Sequence, residues 1–148
     1  MKPLIVLIAG FTATLFISRL FFGGWNIAFA GNLAMCLMLM LTASGHFLFT
    51  KGMTMMIPPI VPFPTFLVYL TGVAEVLLGV GLLFQPTRHL CGIILFVMFV
   101  FLLPANIYAA VKHLNMEKAT YTGSGPSYLW FRVPLQLLFF GWLIYFSI

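Results

Sequence analysis

Charge is what this sequence has least of. Only two of its 148 residues are acidic and seven are Lys or Arg, 6% in all, where a soluble domain carries about a quarter. A water-facing surface cannot be built from so few charges, and a soluble globular domain is excluded. No Gly-rich loop ends in Lys-Ser or Lys-Thr, and no Gly-x-Gly-x-x-Gly run occurs, so nucleotide-driven chemistry has no seat. The two cysteines, Cys36 and Cys91, form no Cys-x-x-Cys pair, which leaves dithiol chemistry without a basis and makes them small packing residues. Despite a net charge of +5, the basic residues stand singly at the ends of apolar runs. They do not form the clustered patch that nucleic acid requires, and they read as interfacial anchors.

What is abundant is apolar length. Hydrophobic residues make up 63% of the chain, in recurring runs close to the roughly 20 residues a helix needs to cross about 30 Å of hydrocarbon. The runs are continuous rather than alternating, which excludes a β-barrel. The expected fold is an all-α, polytopic transmembrane bundle in a single domain with five spans: about Leu4–Phe22, Ile27–Phe49, Thr65–Phe84, His89–Val111 and Trp130–Phe146. Five such helices take about 100 positions, so any function sits within the bundle or its short loops. The first run exceeds the 7 to 15 residues of a signal-peptide core and lies far from Ala28-Phe29-Ala30, so it is read as a span.

Two loops differ in kind. Residues 51–64 hold four prolines and are apolar except for Lys51 and Thr54, which argues against regular helix and for a segment that lies at the interface or folds back over the bundle mouth. Residues 112–129, with Gly-Ser-Gly-Pro near the centre, form the one extended aqueous loop. With an odd number of spans, Lys2, Lys51, Lys112, Lys118 and Arg132 share the N-terminal side against Arg19 and Arg88 on the other, which makes that side cytoplasmic by the positive-inside rule.

Within the spans, Glu75 is the most informative residue. It falls in the middle of the third run with no cation near it in sequence, and Thr71, Gly72 and Gly79 share its helical face. An intramembrane acid is a functional candidate by default, although it also serves as an interhelical hydrogen-bonding group. Asn106 follows Pro104 by two residues, so a polar side chain accompanies a kink that frees the carbonyl of Val100. His46, at the end of the second run, could pair with Glu75 if their depths match, or could be a satisfied structural imidazole. Arg132 and Gln136 share a face at the start of the last span, as anchors or as the rim of a cavity holding an anionic or quinone-like head. No metal set is legible: His89 and His113 stand at opposite ends of one span, and haem or metal binding by His46 with His113 is the remaining alternative. Met53, Met55 and Met56 read as flexible apolar contacts rather than soft-metal ligands.

In order along the chain, Gly45-His46-Phe47, Ile57-Pro58-Pro59-Ile60-Val61-Pro62, Val68-Tyr69-Leu70-Thr71-Gly72-Val73-Ala74-Glu75, Gly79-Val80-Gly81-Leu82-Leu83, Arg88, Leu103-Pro104-Ala105-Asn106-Ile107-Tyr108 and Arg132-Val133-Pro134-Leu135-Gln136 resemble the DoxX family of small bacterial membrane proteins. The resemblance implies a four-helix core, here with an extra N-terminal helix, in the bacterial cytoplasmic membrane. It also implies links to quinol, sulfur or oxidative-stress redox complexes.

The expected function is that of an accessory protein rather than a self-contained enzyme. It would bind a small lipophilic molecule, a quinone for example, in an intramembrane pocket around Glu75. Thr71, His46, Asn106, Gln136 and Arg132 complete the expected ligand-binding set, with the aromatic and Met side chains around the apolar body. No cofactor other than such a quinone is implied. The alternatives are a subunit of a membrane redox complex and an assembly or scaffold factor. Expected partners are the bilayer, the lipophilic ligand, a membrane redox protein or a second copy of the chain.

Overall fold

The computed structural model describes residues 2–148 as helices and connections, with no strand among them beyond an isolated bridge between Asn115 and Thr120. Six helices follow in chain order: α1 Lys2–Phe22, α2 Ile27–Leu48, α3 Thr50–Met55, α4 Pro64–Gly81, α5 Gln85–Val111 and α6 Leu129–Phe146, with a short 3₁₀ turn, Gly125–Tyr128, leading into α6. All but α3 are long and apolar enough to cross a membrane, as an integral membrane protein requires.

Local chemistry sets the ends. The Asn26 side chain accepts the amide of Phe29 at 3.1 Å and starts α2. Pro64 and Pro86 lie in the first turns of α4 and α5, where a missing N–H costs little. Pro86 therefore opens α5 instead of closing the preceding span, and α5 begins at Gln85 rather than near His89. In the Pro-rich segment the expectation against helix is corrected. Its prolines begin at Pro58, so nothing prevents a short helix before them, and α3 forms over Thr50–Met55. Pro134 stands inside α6, which begins at Leu129 directly after the 3₁₀ turn.

The second helix is the centre of the bundle. Half of it is buried, by α1, α4 and α6, while α5 packs on α4 and α6. Leu7 of α1, Met35, Met38 and Leu39 of α2, Leu82, Leu95 and Phe99 near and on α5, and Leu135, Phe139 and Leu143 of α6 form one core. The ends of α2 and α6 are pinned together by hydrogen bonds. The Asn32 amide donates to the Phe146 carbonyl at 2.8 Å, Ser147 donates to Asn32 Oδ1 at 2.7 Å, and Trp142 donates to the Gly31 carbonyl at 2.9 Å. At the opposite end Lys2 lies 3.6 Å from Glu117, which places the start of α1 beside the loop after α5.

Candidate functional site

Glu75 lies on the face of α4 that packs against α2. It is 4% exposed, and its neighbours at Gly72 and Gly79 carry no side chain to hold the helices apart. A Cβ on Gly72 would come within 2.8 Å of His46 Cβ, so this close approach depends on glycine. It brings His46 level with Gly72, two turns below Pro64 and about 12 Å along the helix at 1.5 Å per residue. His46, although near the end of α2, therefore packs against the interior of α4 rather than against its end. The α4 helix rises well past the end of α2, and α3 with the Pro-rich segment bridges the difference.

The cluster that results is closed in hydrogen-bonding terms. His46 Nδ1 lies 2.9 Å from the Val68 carbonyl, which can only accept, so Nδ1 carries a proton. Thr71 Oγ1 lies 3.1 Å from the same nitrogen and gives its own hydrogen to the α4 backbone, 2.9 Å from the Leu67 carbonyl. His46 Nε2 consequently faces Glu75, 3.4 Å from Oε1. The other carboxyl oxygen, Oε2, accepts from the Thr42 hydroxyl at 2.7 Å. Among the described residues, no Lys or Arg is paired with this carboxyl, and no buried side-chain nitrogen or oxygen lacks a partner.

Of the residues singled out in the sequence, the structure joins Glu75, His46 and Thr71 directly. Asn106, Arg132 and Gln136 belong to a second cluster, between α5 and α6. Arg132 donates to Asn106 Oδ1 at 3.0 Å, and Gln136 donates to the Phe99 carbonyl at 3.3 Å, one residue before the Val100 carbonyl whose usual donor Pro104 removes. No hydrogen bond among the described residues links the two clusters. The residues expected around one ligand thus fall into two hydrogen-bonded clusters, with Gln136 bonded to the α5 backbone and Asn106 to Arg132.

Thr42 was not singled out in the sequence, although it precedes His46 by four residues and so shares its face of α2. Asn32 was also missed. The signal was a lone amide in an apolar run, as with Asn106, but without a proline to mark it.

Two open concavities lie on the surface. One is lined by Ser124, Ser127, Tyr128 and Phe131, the other by Thr14, Ile17, Ser18, Phe22, Asn26 and Phe29, and neither borders Glu75. The described residues contain no group of three or more His, Cys, Asp or Glu close enough to hold a metal ion.

No curated protein and no solved structure matches the chain. One family model does match, over residues 35–147, and it is not that of the DoxX proteins. The DoxX resemblance is therefore corrected: the short Gly, Pro and aromatic motifs that carried it did not identify the family. The matched span begins within α2 and includes His46, Glu75 and the whole second cluster, while α1 lies outside it. The chain belongs to the family described as a domain of unknown function, DUF8561.

Proposed function

We propose that this protein binds a small lipophilic molecule within the membrane and holds its polar head at His46 and Glu75. The observation that carries the proposal is the pair itself. A buried carboxyl and imidazole face each other deep between two spans, joined at 3.4 Å, which is longer than the 2.7–2.9 Å of a good charge-assisted hydrogen bond. Charged groups cost about 2.5–3.5 kcal/mol at the centre of a spanning helix, so such a pair is a costly way merely to pack two helices. Its long contact is the one link that gains from an inserted oxygen atom. A quinone or another lipophile with an oxygen-bearing head meets this requirement.

In this reading Thr42 and Thr71 hold the two groups in place. Asn106, Arg132 and Gln136 brace α5 against α6 and do not touch the head. The side carrying Lys2, Lys51, Lys112, Lys118 and Arg132 faces the cytoplasm, in keeping with the excess of cations there. The chain works as a binding protein, and any redox chemistry of the ligand takes place on a partner.

The test is extraction. Wild-type protein and Glu75→Leu are purified in mild detergent, matched for helicity and size, and their organic extracts are compared by mass spectrometry. The expected result is a lipophile near one per chain in the wild type, reduced about tenfold in the variant, as leaving a buried hydrogen-bonding group without its partner implies. Equal extracts, or a wild type that carries only bulk lipid, overturn the proposal.

A further inference from the structure

The same pair restricts which head group fits. Because His46 Nδ1 is committed as a donor to the Val68 carbonyl, only Nε2 remains to face Glu75 Oε1. Thr42 donates to Oε2 from the far side, so Oε1 is the carboxyl oxygen available to a ligand. Among the described residues, the pair is isolated from other charge. Glu117, the one other acidic residue, is on the surface beside Lys2, and Lys51 of the overlying α3 is exposed. With no counter-ion beside it, a net charge on this buried pair is disfavoured, which favours a pair that is neutral overall.

Neutrality fixes the count. Between Nε2 and Oε1 there is one proton, on the carboxyl with a neutral imidazole or on the imidazolium with a carboxylate. In both arrangements an atom placed between them meets one donor and one acceptor. A hydroxyl oxygen supplies the complement, since it accepts one hydrogen bond and donates another. A carbonyl or ether oxygen accepts only, and would leave an acceptor of the pair without a hydrogen in a buried site.

We infer that the site selects a lipophilic alcohol or phenol, a hydroquinone included, over the corresponding ether, ketone or quinone. The inference rests on the binding role proposed above and narrows it to a class of ligand. Glu75 is the partner that moves to admit the hydroxyl. His46 is held by Val68, Thr71 and the close packing of its Cβ on Gly72, whereas the Glu75 carboxyl is held from the far side by Thr42 alone.

A matched pair of probes tests it: 4-nonylphenol and its methyl ether, 4-nonylanisole, titrated into the protein in nanodiscs with empty nanodiscs as the partition control. The phenol is expected to bind at least about tenfold more tightly than the ether, the factor corresponding to one unsatisfied buried acceptor. That preference is expected to disappear in the double variant His46→Leu, Glu75→Leu, since Nε2 alone would still accept from the phenol, and to shrink in Thr42→Val, which removes the hydroxyl holding Glu75 while keeping the side-chain shape. If both probes bind equally and both are lost in the double variant, the selectivity is overturned while the binding site stands. If neither binds above the empty-nanodisc control, or the double variant changes neither, the binding role falls and the inference falls with it. The phenol and ether comparison on the unaltered protein decides the selectivity even if the double variant does not fold.

Discussion

Gly72 shows how much of the site rests on a side chain that is not there. A Cβ at this position would meet His46 Cβ at 2.8 Å and Cγ at 3.2 Å, and neither atom is the free end of a flexible chain. Gly72→Ala is therefore expected to push α2 and α4 apart locally, at a cost of about 1–3 kcal/mol for an overpacked interface. The measurement is the thermal midpoint in detergent, with Gly141→Ala as the control, since nothing lies within 4 Å of a Cβ there. A Gly72→Ala midpoint equal to that of the control would show that the approach of His46 to α4 is looser than described. The sequence made Gly72 legible as a small residue on the Glu75 face, and Glu75 itself stood out as a lone acid in an apolar run. Thr42 was not legible. A threonine within a span usually bonds its own helix, as the 3.1 Å approach of Thr42 to the Leu39 carbonyl suggests, and only the neighbouring helix shows that its one hydrogen has a nearer acceptor, the Glu75 carboxyl oxygen at 2.7 Å.

The helices divide the same way. The five long ones follow from apolar length alone, whereas their ends depend on whether a proline falls in a first turn or beyond a last one, a choice made by the incoming chain direction. This is why residues 85–88, left between two expected spans, form the first turn of α5 around Pro86, and why α3 was hidden inside a segment known chiefly for its prolines. The third helix has a specific attachment: a Cβ on Gly52 would run into the backbone carbonyl of Met116, in the loop after α5. That contact holds α3 and the Met116 loop together at the end of the bundle nearer His46. Gly52→Ala is expected to separate the two segments, because a carbonyl of the main chain cannot move aside as a side-chain tip can. Hydrogen–deuterium exchange should then rise over residues 50–56 and 114–118 and stay unchanged within α4. Unchanged exchange in both loops would mean that α3 is held by something other than this contact.

At the scale of the whole molecule, the five spans and the position of one ion pair make a joint claim about sidedness. The 3.6 Å approach of Lys2 to Glu117 requires the start of α1 and the loop between α5 and α6 to lie on one side, as an up-and-down path through five spans also requires. Both ends of that pair are exposed, so it contributes little stability and serves here as a geometric marker. Lys51, in α3, then belongs to the same side, and Arg88, in the first turn of α5, to the other, where its Nε donates to the Leu82 carbonyl at 3.0 Å. Single cysteines introduced as Lys51→Cys, Lys118→Cys and Arg88→Cys, in a Cys36→Ala, Cys91→Ala background, test the path with a membrane-impermeant maleimide. Lys51→Cys and Lys118→Cys are expected to label together, from the cytoplasmic side if the excess of cations sets the orientation, and Arg88→Cys from the opposite side only. Labelling of Lys51→Cys and Arg88→Cys from one common side would leave α4 unable to cross the bilayer. His46 and Glu75 would then lose the depth that makes a neutral pair, and a hydroxyl-bearing ligand, the favoured arrangement.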